Sequence, residues 1–342
     1  MFANDISIDL GTATMLVYIK GRGIVLKEPT VIAVNTDTNE VVAVGTEASK
    51  MLGRTPPNIK AVHPLRDGVI SDYTLTLEMI KRLIKRVINK VSGRPRIMMC
   101  VPSGVTDVEQ RAVIDAAREV GAKDIYVIEE PVAAALGAGC KIWRPHGSMV
   151  IDIGGGTTDI AVISLGGVVV SRSLKIAGDE VTEEIIKFMR REMKIHIGVV
   201  TAEKLKQTIG GVIPRDKEIL CEAKGVCTIT GFPKKVTVSS NDLCTIFEEF
   251  VFNITERVRE VLEETPPELQ GDIILDGIMM TGGGSLLYGL NERIGKAIGV
   301  KCIPAEDITE CVVKGSGIAL GNIDITSDPT HIYHKKAYIK EN

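Results

Sequence analysis

Nowhere does the chain carry 18 consecutive apolar residues, so it contains no sequence pattern for a membrane-spanning helix. No basic segment with an apolar core opens it either. Asn4 and Asp5 lead straight into a strand pattern, and a protein without a secretory leader is expected. Its seven cysteines, Cys100, Cys140, Cys221, Cys227, Cys244, Cys302 and Cys311, include no Cys-x-x-Cys pair and read as reduced, mostly buried thiols of a cytoplasmic protein. Histidine is scarce. His331 and His334 are spaced for two metal ligands, but nothing else completes a shell. A Ser, His and Asp set and a catalytic cysteine environment are missing as well. The net charge of -3 gives no general attraction to nucleic acid, so any anionic partner must be met by a local patch.

What is present is a chain of 342 residues, long enough for two lobes with a sizeable core. Its centre is residues 149–164. Two β-branched runs, Val150 to Ile153 and Ile160 to Ile163, flank Gly154, Gly155, Gly156, Thr157 and Thr158. That is a hairpin with a turn whose backbone N–H groups can close around an anion, with the threonine hydroxyls as further donors. Asp152 stands just before the turn, where it would repel a bare phosphate unless a cation such as magnesium sat between them. The same pattern occurs near the start, where Asp9 and Leu10 precede Gly11, Thr12, Ala13 and Thr14. A third glycine turn, Thr281 to Ser285, follows the strand Ile278 to Met280 and leads into the helical spacing Leu286, Leu287, Leu290, Ile294. Two Asp-bearing hairpins and a glycine-rich helix start are together specific for a nucleotide phosphate site.

Between these turns, strands are expected at 24–26, 30–34 and 41–44, with a mixed excursion at 51–57. A helix spans 72–91, with Met79, Ile80, Leu83, Ile84 and Val87 on one face and Lys81, Arg82, Lys85, Arg86 and Lys90 on the other. That basic face reads either as solvated surface or as a contact for anionic lipid. Thr106 and Glu109 form a capping box for a helix ending at Gly121. The strand 125–128 delivers Glu129 and Glu130 to a helix at 132–138. One of the two glutamates is explained as a dipole-compensating cap, the other as a group that orients water. Further on come strands at 168–170 and 174–176, a helix opened by Gly178 and Asp179, and a short helix at 201–209. A hairpin at 227–238 turning about Gly231 to Lys234, a single long helix at 241–264 stopped by Pro266 and Pro267, and a small-residue helix at 315–320 complete the pattern.

Strands followed by alternating helices, twice, describe an α/β protein of two lobes around one cleft. The sequence resembles the actin and sugar-kinase superfamily, and within it the MreB and Mbl family of bacterial actin homologues. The resemblance covers residues 4–325 and rests on Asp9-Leu-Gly-Thr-Ala, Gly23-Ile-Val-Leu-Lys-Glu-Pro, Asp67-Gly-Val-Ile, Val101-Pro-Ser, Glu129-Glu-Pro, Asp152-Ile-Gly-Gly-Gly-Thr-Thr, Ala177-Gly-Asp-Glu, Thr201-Ala-Glu, Thr265-Pro-Pro-Glu-Leu and Thr281-Gly-Gly-Gly-Ser. It implies an actin-like, ribonuclease H-like two-lobed ATPase fold. Lobe I would run over 1–145 with a small subdomain at about 33–66, and lobe II over 146–325 with one at about 181–240. The helix at about 313–324 would complete lobe I, and 326–342 would form a flexible basic tail.

The resemblance also implies an ATP-binding cytoskeletal protein that polymerises into paired filaments under the cell membrane, helps determine cell shape and hydrolyses ATP slowly. A small-molecule kinase and a nucleotide-dependent filament adaptor of the same superfamily are the alternatives. Carried over by position, Asp9 and Asp152 would hold Mg2+ largely through water. Thr12, Ala13 and Thr14 with Gly154, Gly155, Gly156 and Thr157 would clamp the phosphates of ATP or ADP, and Glu130 with Thr157 would be catalytic. Gly178 and Asp179 would approach the ribose and phosphate side, Glu203, Lys204 and Lys206 the adenosine, and Gly283, Gly284, Ser285 and Leu286 the far wall. The sequence departs from MreB in Thr14, where asparagine is usual, and in Asp159, where glutamate is common and the aspartate resembles Mbl instead; the loop 89–96 lacks the pair of large apolar residues with which related proteins enter the bilayer. Contact with an anionic membrane would therefore rest on the basic helix face and tail.

Overall fold

The computed structural model describes residues 5–66, 68–88 and 93–323. Outside it lie Asp67, Lys90 with the rest of 89–92, and everything from 324 onward, including the expected tail and the His331 and His334 pair. The side chains of Val108, Glu109 and Ala112 lie outside it too, and with them the expected capping box.

The first half opens with an antiparallel meander, β1 (Asp5–Leu10), β2 (Thr14–Ile19) and β3 (Gly23–Pro29). A separate three-stranded sheet follows, built from β4 (Ile32–Asn35), β5 (Val41–Val44) and, beyond helix α1 (Thr46–Met51), β6 (Ile59–Val62). A ribbon of β7 (Leu65–Arg66) and β8 (Val69–Ile70) leads into α2 (Tyr73–Ile88), which buries Met79, Ile80, Leu83, Ile84 and Val87 as their spacing requires. Then come β9 (Arg96–Val101), α3 (Asp107–Glu119), β10 (Asp124–Glu129) and α4 (Glu130–Gly137). β9 joins β1 in parallel and β10 joins β9, so the sheet order is β3-β2-β1-β9-β10.

The second half repeats this plan. β11 (Ser148–Ile153), β12 (Thr158–Ser164) and β13 (Gly167–Leu174) form the meander. α5 (Gly178–Arg191), β14 (Ile195–His196), α6 (Val199–Ile209), β15 (Leu220–Cys227) and β16 (Pro233–Ser239) add a second small sheet. Helices α7 (Ser240–Cys244), α8 (Glu248–Glu264) and α9 (Pro267–Asp276) precede β17 (Ile278–Thr281), a 3-10 turn at Gly283–Leu286, α10 (Leu290–Ile298), β18 (Cys302–Pro304) and α11 (Cys311–Asn322). The order β13-β12-β11-β17-β18 matches that of the first sheet, strand for strand.

Several expected elements differ. The long helix at 241–264 is two helices, α7 and α8, because the chain breaks at Phe247, which leaves helical dihedrals and turns fully buried into the second lobe's core. Pro267 does more than stop α8: its fixed φ suits the first turn of α9. The run 168–170 and Leu174 belong to one strand, β13, which has a bulge opposite Val162 and Ile163 and ends at Leu174, so Lys175 and Ile176 lie outside it. The later hairpin turns at 228–232, not at 231–234, and the helix expected to continue from Ser285 begins only at Leu290, after Gly289 takes a φ of 76°. On α2, Lys81 pairs with Glu119, Arg82 with Glu78 at 2.6 Å and Arg86 with Glu28 at 3.2 Å. Three of the four described basic residues of that face are thus paired with the protein's own carboxylates.

Each main sheet has its own apolar core. A third cluster joins them: Met98, Cys100, Tyr126 and Ile128 from one sheet and Val150, Ala161 and Ile163 from the other meet across α4 and α11. The two helices cross at backbone contact distance. A Cβ on Gly315 would collide with the carbonyl of Ala133, and one on Gly137 with that of Cys311.

Candidate functional site

The two Asp-bearing hairpins are built alike. Gly11 N–H donates to the Thr14 carbonyl at 3.1 Å, and Gly154 N–H to the Thr157 carbonyl at 2.8 Å. In each case the aspartate lies two residues before the first glycine, at the open end of a strand whose neighbour returns antiparallel. The turns meet: a Cβ on Gly155 would lie 2.9 Å from the Ala13 Cβ and 3.2 Å from its nitrogen. A third segment pins them together. Gly68 N–H donates to Thr12 Oγ1 at 3.2 Å, and at a φ of 69° it lies so close to Thr157 that a side chain would strike the threonine methyl. Gly68 belongs to a recognisable motif, yet its bridging role depends on two distant turns and is invisible in the sequence.

The head of α5 braces the second turn. Gly178 and Asp179 donate their amides to the carbonyls of Gly154 and Gly155 at 3.1 and 2.7 Å, so they shape the turn and those N–H groups are already engaged. On α6, Lys206 Nζ donates to Gly178 O at 2.9 Å, Thr182 Oγ1 at 2.9 Å and Glu203 Oε1 at 2.6 Å, and Thr182 also bonds Glu203. Lys204 is exposed and sits near Glu222 instead, outside this network. At the third turn, Gly284 packs under Ile153, and Ser285 Oγ donates to the Thr281 carbonyl at 2.6 Å. Gly283 and Leu286 are exposed, so they are the members of that set open to a ligand. Gly282, absent from the expected set, has a φ of 81° and leaves Asp152 room: its Cβ would lie 2.8 Å from Asp152 Oδ1.

At the junction stand four carboxylates, Asp9, Glu130, Asp152 and Asp159, near enough to perturb one another. Burial and then the charge of Asp152 raise Asp9 to about 7. Burial raises Asp152 to about 6, against a hydrogen bond from Thr281 Oγ1 at 2.6 Å that favours its ionised form. Asp159 rises to about 7 through burial and then Asp152, and Glu130 is pushed well above the usual range by burial, then Asp9, Asp159 and Asp152. Glu129 instead accepts from Ser103 Oγ at 3.1 Å, so the buried member of the glutamate pair is Glu130. Among the described residues no lysine or arginine relieves any of these shifts. Among the described residues no three His, Cys, Asp or Glu side chains are arranged to ligate a metal together. The two buried carboxylates from opposite hairpins, Asp9 and Asp152, fit a hard cation held by one or two carboxylates with water completing its shell.

Residues 3–328 match the family described as MreB/Mbl protein. The cell shape-determining protein Mbl of Bacillus cereus is 46% identical over 325 residues, covering 95% of this chain and 98% of that protein. The cell shape-determining protein MreB of Escherichia coli is 46% identical over 331 residues, covering 95% of each. Among solved structures, MreB5 of Spiroplasma citri bound to ADP superposes with a TM-score of 0.89 at 39% identity, over 95% of this chain and 99% of that one. The MamK double helical filament, at 21% identity and a TM-score of 0.78 over 93% and 99%, shares the fold. The duplicated sheets and facing turns are thus the two lobes of an actin-like fold, and the chain belongs to the MreB/Mbl family.

Proposed function

We propose that this protein is an actin-like ATPase that holds magnesium and adenine nucleotide between its lobes, assembles into paired filaments at the inner face of the cell membrane and so helps determine cell shape. The observation that carries the reading is the contact of Gly155 with Ala13, which brings two amide-lined turns together over Asp9 and Asp152. The curated relatives are named for cell shape, and MreB5 has been solved with ADP and with AMPPNP.

In this reading the backbone N–H groups of 12–14 and 155–157 bind the phosphates from opposite lobes, with the Thr12, Thr14 and Thr157 hydroxyls beside them. Asp9 and Asp152 would hold magnesium through water, and the chemistry a bound magnesium supplies is neutralisation of phosphate charge. Glu130 orients the attacking water. The water oxygen bonds to the γ-phosphorus, the bond from that phosphorus to its bridging oxygen breaks, and ADP keeps the electron pair; the water's proton passes to Glu130 and on to solvent. Loss of the γ-phosphate removes what both turns grip, which loosens the lobes and the head-to-tail contacts between subunits.

Sedimentation and electron microscopy with ATP, ADP or no nucleotide test assembly directly. Nucleotide-dependent pelleting is expected, and a protein that stays monomeric with ATP at high concentration contradicts the filament reading. Anionic liposomes in the same assay report membrane contact. With most of the α2 face ion-paired, that contact should be weak and lost as salt shortens the Debye length.

A further inference from the structure

Asp159 is 1% exposed, and neither of its carboxylate oxygens has a hydrogen-bond partner. The Thr157 and Ser173 side chains and the Ser103 amide stand close by, none in hydrogen-bonding geometry. A buried polar group left unsatisfied is costly, and like charges directly opposite in an antiparallel pair are destabilising. Asp159 has both faults, because its cross-strand partner is Asp152.

The duplicated fold shows that the carboxylate is not required for folding. In the first hairpin Asp9 pairs across the strands with Leu16, as Asp152 pairs with Asp159 in the second. Leu16 is buried, 3% exposed, and the meander around it is the same. The position therefore accepts an apolar side chain in one lobe and carries an unsatisfied acid in the other. Strand register places Ser173, Asp159, Asp152 and Thr281 in one row on one face of the sheet. Asp152 already takes the Thr281 hydroxyl, while Asp159 has both oxygens free and lies within electrostatic reach of Glu130. A water between Asp159, Glu130 and Thr157 would have the two to four polar partners that an ordered water needs.

We propose that Asp159 is a further catalytic residue of the nucleotide site: its free oxygens hold the attacking water against Glu130. This rests on the ATPase reading above, in which Glu130 orients that water. The test compares Asp159→Leu, the side chain the other lobe carries, with Asp159→Asn and Asp159→Glu. In the nucleotide-free state Asp159→Leu should melt at a higher temperature than the parent. Both Asp159→Leu and Asp159→Asn should bind AMPPNP as the parent does, should trap ADP with aluminium fluoride poorly, and should release phosphate about tenfold or more slowly through kcat with KM unchanged. Asp159→Glu should restore most of the rate. Parental phosphate release in Asp159→Leu and Asp159→Asn overturns the assignment. A fall in melting temperature with loss of AMPPNP binding in both also overturns it, by showing a structural role. A parent protein that turns over no ATP overturns the ATPase reading instead.

Discussion

Substituting Gly155 by alanine should weaken nucleotide binding without unfolding the protein. Gly155 does not use a left-handed φ, so alanine is allowed by the backbone and any effect is steric. The new methyl would sit 2.9 Å from the Ala13 Cβ and 3.2 Å from its nitrogen, against the 3.5–4.0 Å at which carbon atoms rest comfortably. The turns must therefore separate by about 0.6 Å or more. Overpacking of this kind costs about 1–3 kcal/mol, and here the cost falls on the closed arrangement that both turns need to grip one set of phosphates. If all of it is drawn from binding, the affinity for AMPPNP drops by roughly 5- to 150-fold. Titration calorimetry of the variant against AMPPNP and ADP measures this, with a melting curve as the control for folding. Unchanged affinity for both nucleotides would show that the turns do not act on a common ligand.

Glu130→Ala should retain AMPPNP binding and slow phosphate release by about 100-fold or more, read in a coupled phosphate assay; an unchanged rate removes Glu130 from the mechanism. Burial lifts Asp9 to about 7 and Asp152 to about 6 from the ordinary 3.8 of an aspartate, so the folded protein without cation holds protons that the unfolded chain has already released. Its stability should thus fall as pH rises from about 4 to 7 in chelator, and magnesium with ADP should recover it at the upper end; a flat or rising melting temperature across that window would contradict the carboxylate cluster. Gly315→Ala should destabilise the protein by about 1–3 kcal/mol in urea unfolding, since its methyl would strike the Ala133 carbonyl. Alanine at an unencumbered helix position would instead gain about 0.5–1 kcal/mol, and a gain here would mean that α4 and α11 do not cross so closely.

Both hairpins were legible because a strand, an acid, a glycine turn and a second strand lie consecutively, and each turn closes through its own hydrogen bond. The residues proposed to face the phosphates come from the same local pattern. What could not be read depends on neighbours far along the chain. Gly68 matters because Thr12 and Thr157 converge on it, and Gly282 because Asp152 lies beside it. Lys204 and Lys206 look equivalent in sequence, but one turn of α6 directs Lys206 to the α5 head and Lys204 toward Glu222. Helix α1 and the strands β6, β14 and β18 are too short for any periodicity to emerge. The break between α7 and α8 has another origin. Continuous helical spacing through 241–264 was outweighed by the burial of Phe247. Asp159 was within reach: counting outward from each four-residue turn pairs it with Asp152 and pairs Leu16 with Asp9, and the mismatch marks it.

A crystal structure of the protein with magnesium and AMPPNP is the most direct measurement. The β- and γ-phosphates should lie between residues 11–14 and 154–157, with a single hydrated cation shared by Asp9 and Asp152. A nucleotide held by one turn alone, or a cation out of reach of either aspartate, would contradict the account.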